Sequence, residues 1–288
     1  FDYVIENTNS PEKIYLAETL KLKTLKQKLI YNQDFSTTEL MQLKSNYLKT
    51  LYKVDQNTGV HQNIINRKYD LLVDLAELEA YYLNNTSEAK NHLRKALILR
   101  GISESKKGKI NMLMADLLVL ENNIWEASLM YLKVEKQFKE DPLGHQAKFN
   151  NAKVYYYAGE FDWCQAQLDV LKASTSKLIA NDALALSVLI TDNYNMDTSD
   201  VAMKLFAKAD MLFAQQKLDE ALAVYDSVFN MFSQHSLNDE ILLRKAEIYK
   251  TQKNINSAIE SLKKIENEFP NSIILDKALF NIATLYEN

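Results

Sequence analysis

The residues best equipped for chemistry crowd into one short stretch, AKVYYYAGEFDWCQA, which holds Tyr155, Tyr156, Tyr157, Phe161, Trp163 and the only cysteine, Cys164. A nucleophilic thiol needs a histidine or another basic neighbour to lower its pKa. Here the nearest basic residues along the chain are Lys153 and Lys172, and no local Cys/His signature exists. Cys164 therefore reads as a small apolar packing residue. The four histidines, His61, His92, His145 and His235, form no HExxH or HxH pattern and have no cysteine or carboxylate at ligand spacing, so they are expected on the surface. Glycines at 59, 101, 108, 144 and 159 are isolated and build no phosphate loop. The carboxylates of KEDP and LDEAL read as helix ends and solvated faces rather than acid/base pairs. The expectation is no catalytic residue, no metal, no cofactor and no small-molecule substrate.

The elements that carry these residues follow from composition. With 47% hydrophobic and 25% charged residues, and only five glycines and three prolines in 288 positions, the chain reads as all-helical. No run of eighteen apolar residues predicts an integral membrane segment, and one cysteine rules out an internal disulfide. Residues 1–110 carry 17 basic and 13 acidic side chains, and residues 111–288 carry 17 and 25. With a pI near 5.7 there is no electrostatic case for nucleic acid or an anionic membrane. Two basic runs, Lys21, Lys23, Lys26 and Lys28 in one and Arg100 to Lys109 in the other, read as solvated helix faces. The sequon at 84–87, NNTS, reads as a turn followed by a helix cap. The first residues, FDYVIENTNSPEK, and an end inside an apparent helix suggest a segment of something longer.

A fixed period then organises the helices. Ala115 and Ala152 are 37 residues apart, as are Ala127 and Cys164, Ala209 and Ala246, Ala221 and Ala258, and Ala246 and Ala283. A large residue follows the first small one by three positions, as in Ala152 with Tyr155 and Ala246 with Tyr249. A second small residue stands twelve positions after the first, with a bulky one four further on, as in Ala258 with Leu262. Such spacing puts small and large side chains on one face of each of two successive helices, which cross closely at the small ones. The unit is a helical hairpin. Between Ala152 and Ala209 the interval is 57, and the 20 extra residues fit one additional helix near 176–193, after which Asp197 or Thr198 would cap the next.

These residues resemble the tetratricopeptide repeat family, with Pro270 where that family often ends a unit. The period departs from the family's usual 34. The resemblance implies a right-handed solenoid of antiparallel hairpins, with degenerate amphipathic hairpins over 1–104 and clearer repeats over 105–288. It also implies that first helices line a concave face. That assigns Tyr155 to the core and places Met112, Asp116, Phe149, Lys153, Tyr156, Tyr157, Met203, Phe206, Asp210 and Phe213 along a partner-binding groove, neighbouring helices covering several of them as the alternative. A clamp for a terminal carboxylate is not expected, because only Lys153 and Asn150 are of suitable type. The implied function is a non-enzymatic scaffold for a protein or peptide partner. The flavour is that of bacterial, Bacteroidetes-type repeats of cell-envelope assemblies, with the periplasm or the cytoplasm as location. The alternative is a structural subunit or the regulatory region of a larger enzyme, its contact surface at Leu279 and Phe280.

Overall fold

The computed structural model describes residues 1–32, 35–56, 62–174, 177–194 and 200–287, and every regular element among them is an α-helix. Thus the expected cap at Asp197 or Thr198, and His61, lie outside the described residues. The chain divides into two compact units, Phe1–Val134 and Glu135–Asn288, with the division in the last turn of one helix.

The first unit holds α1 (Asp2–Asn7), α2 (Pro11–Asn32), α3 (Thr37–Gln56), α4 (Gln62–Tyr81), α5 (Thr86–Leu97), α6 (Glu104–Leu120) and most of α7 (Ile124–Gln137). Helices α2, α3 and α4 pack on one another around Tyr47, Leu71 and Leu75, and α4 pairs closely with α5. Two expectations are corrected here. Lys26, placed on a solvated face, is buried: its ammonium pairs with Asp74 and, at 2.6 Å, with Glu77, and the Tyr47 hydroxyl donates to Asp74 at 3.4 Å. An isolated charge could not be buried at that depth, so the two carboxylates are what admit it. His92, placed on the surface, is also buried, because Ala89, His92, Leu93 and Ala96 share the inner stripe of α5. Burial pushes its pKa down, against the pull of Glu79.

The second unit holds α8 (Pro142–Tyr157), α9 (Phe161–Ser174), α10 (Lys177–Tyr194), α11 (Val201–Ala214), α12 (Leu218–Met231), α13 (Asn238–Thr251), α14 (Ile255–Glu268) and α15 (Leu275–Glu287). Helices α8 and α9, α11 and α12, and α13 and α14 pair as hairpins, with α15 packed on α14. The small residues sit where the helices cross: Ala152, Cys164, Ala209, Ala221 and Ala258 are wholly buried. Removing Cys164 from water pushes its thiol up to about 12, so it is protonated and inert at neutral pH. Helix α10 fills the long interval and packs on α9, α8 and α11. Lys172 on α9 donates to the Ser187 hydroxyl at 2.9 Å, and Gln165 to Thr191 at 2.9 Å, fixing its rotation.

The period also appears in the backbone. First helices end on a residue with positive φ: Asn122, Gly159, Gln216 and Lys253, at intervals of 37, 57 and 37. Each closes the same pair of bonds. At α11 the amide of Gln216 donates to Phe213 at 2.9 Å and that of Lys217 to Leu212 at 2.9 Å, the two bonds of a Schellman cap. Second helices then start from caps such as Asn254, whose side chain accepts from the Ser257 amide. In the sequon, Asn84 takes positive φ and Asn85 caps α5, as the turn-and-cap reading expects. A side chain in the left-handed region is strained and glycine is not. Exposed Gln216 has φ 61, so Gln216→Gly should raise unfolding free energy by about 0.5–1 kcal/mol, read by urea titration.

Candidate functional site

The second unit carries an open cavity of about 840 Å³. First helices form its floor. Phe149, Lys153, Tyr156 and Tyr157 come from α8, Asp210 and Phe213 from α11, and Glu240, Leu243 and Arg244 from α13. Helix α10 supplies a wall of Leu184, Ala185, Leu186, Val188 and Leu189, with Asn181 and Asp182 beside it. Ile273, Ile274 and Lys277 close the far side. The lining is mainly apolar, with a few charges at defined places, which is the usual composition of a binding cavity.

Asp210 organises the polar part. Its carboxylate accepts from the Tyr156 hydroxyl at 2.7 Å, from the Tyr225 hydroxyl of α12, and from Nε of Arg244 at 3.0 Å. One side chain of α11 thereby ties α8, α12 and α13 together. Arg244 also donates through Nη1 to Glu247 at 3.0 Å, and Lys277 lies 3.6 Å from the same carboxylate. Burial and the Asp210 charge hold both tyrosine hydroxyls well above their ordinary pKa, so they act as hydrogen-bond donors. Glu240 differs from these groups. Burial pushes its carboxyl up to about 7, although Arg244 and Lys277 pull it down.

Six of the ten expected groove residues, Phe149, Lys153, Tyr156, Tyr157, Asp210 and Phe213, line this one cavity. Within the tyrosine run the roles differ from the expected ones. Tyr156, placed on the groove surface, is 2% exposed and belongs to the core, while Tyr155, assigned to the core, and Tyr157 are half-buried. The cause is the Asp210 acceptor and the ring of Phe161 at 6.0 Å, both of which lie on the side Tyr156 faces. Tyr157 keeps an open face, with the Lys153 ammonium 5.8 Å from its ring. Met203 and Phe206 are wholly buried, Phe206 with its ring 5.5 Å from that of Tyr225. Met112 and Asp116 belong to the first unit; Met112 is buried and Asp116 accepts from the Tyr131 hydroxyl.

Spacing marks Tyr225 as the bulky residue four positions after Ala221 but not as a partner of Asp210, and it singles out neither Glu240 nor Arg244. A signal for the tyrosine existed: Asp116 and Tyr131, and Asp210 and Tyr225, are both 15 residues apart and each pair is bonded. The aspartate directly follows the first small slot and the tyrosine takes the bulky position of the second helix. Arg244 and Glu240 carry no such mark, since only the approach of α13 to α11 gives them a role.

Comparison with known families matches residues 212–279 to the tetratricopeptide repeat. Over these residues the chain is similar to tetratricopeptide repeats. This match runs from the end of α11 into the first turn of α15, and includes the cavity residues of α13 together with Ile273, Ile274 and Lys277. Repeats of this family serve in general as non-catalytic modules for binding proteins. Among solved structures, a tetratricopeptide repeat protein from Parabacteroides merdae ATCC 43184 is 17% identical, with 94% of this chain and 100% of that chain covered and a TM-score of 0.44. Yeast Tom70 is 14% identical, with 97% of this chain and 61% of that chain covered and a TM-score of 0.34. No curated protein matches the sequence. Among the described residues no helix is long and apolar enough to cross a membrane.

Proposed function

We propose that the chain is a non-enzymatic protein-interaction scaffold that holds a segment of a partner protein in the cavity of its second unit, within a bacterial cell-envelope assembly. The observation that carries this reading is the cavity itself. Three first helices supply aromatic and aliphatic floor residues, and α10, the helix that interrupts the repeat, turns an open face into a recess of about 840 Å³. That volume accommodates several side chains of a bound segment. Half-buried Tyr157, Phe149 and Phe213 offer contact area at small entropic loss, because their rings are already held by the core.

The test uses a variant that fills the recess without touching the core. Ala185 lines the cavity and is exposed, so Ala185→Trp should keep helicity and stability while displacing a bound segment. In affinity capture from the native cell extract, proteins retained by the wild type should be lost with Ala185→Trp and weakened about tenfold or more with Tyr157→Ala. Retention unchanged by both variants would remove the cavity as the working surface.

A second reading rests on α15, where Phe280 is 71% and Tyr286 65% exposed, beside exposed Leu279. In that reading the chain is a structural subunit, and this apolar face packs against another chain.

A further inference from the structure

Glu240 is the half-buried carboxylate of the cavity for which the fold supplies no use. It lies in the first turn of α13, yet it closes no capping box: the N-cap is Leu237, and no side-chain cap bond is made there. Among the described residues its carboxylate has neither a hydrogen-bond nor an ion-pair partner. Half-buried, a carboxylate without a partner weakens a fold, and it does so more than a neutral glutamine of the same shape would. Glu240 lines the recess together with the aliphatic residues Leu184, Leu186 and Leu189 of α10.

The charges around it leave a negative surplus. Arg244, one turn along α13, is engaged by Asp210 and Glu247, and Lys277 by Glu247. These two cations and two anions balance, and Glu240 remains. Half-buried Asp239, its neighbour in the chain, adds negative charge. From other helices of the recess, Lys153 lies toward the Tyr157 ring, and exposed Asp182 adds a further negative charge. An incoming cation would therefore meet an uncompensated anion in a partly dry site, where a charge pair is worth most.

Resting on the scaffold reading above, we propose that the occupant is a polypeptide segment that sets a lysine or arginine against Glu240, with apolar neighbours seated on Leu184, Leu189 and Phe213. The half-protonated state of the free carboxyl near neutral pH then makes occupancy proton-linked. With the free group at about 7, a bound cation holds it ionised, so binding releases a proton below that pH and weakens as pH falls. Above it the carboxylate is already charged and affinity levels off.

The probe is a random-peptide display library panned on the whole chain at about pH 8, the selected peptides being synthesised with blocked termini. Binders lost with Ala185→Trp should be enriched in a basic residue flanked by apolar ones. Their affinity should fall roughly ten- to thirtyfold between about pH 8 and about pH 5.5. Glu240→Gln should weaken them about tenfold at the higher pH and flatten the pH profile, and replacing the peptide's lysine by norleucine should do the same on the folded wild type. Cavity binders that lack a basic residue, or that bind Glu240→Gln as tightly as the wild type, overturn the role of Glu240 while the scaffold reading stands. Failure to select any binder lost with Ala185→Trp overturns both.

Discussion

Replacing Asp210 with alanine should lower the unfolding free energy by about 4 kcal/mol, the range found when one partner of a buried charged network is removed. The carboxylate accepts from Tyr156, Tyr225 and Arg244, so its loss leaves two hydroxyls without acceptors and a guanidinium with Glu247 alone. Tyr156→Phe and Tyr225→Phe each remove only one hydrogen bond and should cost about 1–2 kcal/mol. Asp210→Asn keeps the shape but not the charge, and should fall between. Urea titrations of the four variants give the order directly. A value for Asp210→Ala no larger than that of either tyrosine variant would mean that the network does not hold α8, α11, α12 and α13 together.

The second large effect is expected at Gly144. This residue sits in the first turn of α8, behind Pro142, where the chain doubles back on Phe138. A Cβ placed there would lie 1.9 Å from the Phe138 carbonyl oxygen and 2.6 Å from its carbon. That carbonyl accepts the Asp141 amide at 2.9 Å, and Asp141 is itself the α8 cap, so neither can retreat without breaking the turn. Gly144→Ala should therefore destabilise by about 3 kcal/mol, at the upper end of what overpacking costs. In thermal unfolding it should rank with the Asp210 series, whereas alanine in an ordinary helix interior is neutral or stabilising relative to glycine. A melting temperature equal to that of the wild type would contradict the turn geometry.

The hairpins were legible in the sequence because their determinants repeat. Small residues at Ala152, Cys164, Ala209, Ala221 and Ala258 are buried at helix crossings, and the same 37-residue spacing reappears in the left-handed residues that end first helices. Helix α10 was legible as an interval too long for a hairpin turn. Which tyrosine of three is buried was not. Successive helical residues point about 100° apart, so the choice between Tyr155 and Tyr156 depends on where Asp210 and Phe161 stand, and both lie outside that helix. His92 and Lys26 were misplaced for a related reason. Polar type suggests the surface, but a buried stripe in α5 and a carboxylate pair on α4 override it. Gly144, seen only as one isolated glycine among five, gains its role from a carbonyl six residues earlier. Glu240 gains its role from what does not approach it, a property no spacing rule encodes.

Occupancy of the recess between α8, α10, α11 and α13 by a partner is tested most directly by site-specific photo-crosslinking in the native cell. A photoreactive phenylalanine analogue would be placed at Leu184, exposed on the recess wall, at Trp163, 65% exposed on α9, and at Phe280, 71% exposed on α15. One dominant adduct is expected from position 184, abolished by Ala185→Trp, with little from position 163. A dominant adduct from position 280 that Ala185→Trp leaves unchanged, with none from 184, would contradict occupancy of the recess and make the α15 face the working surface.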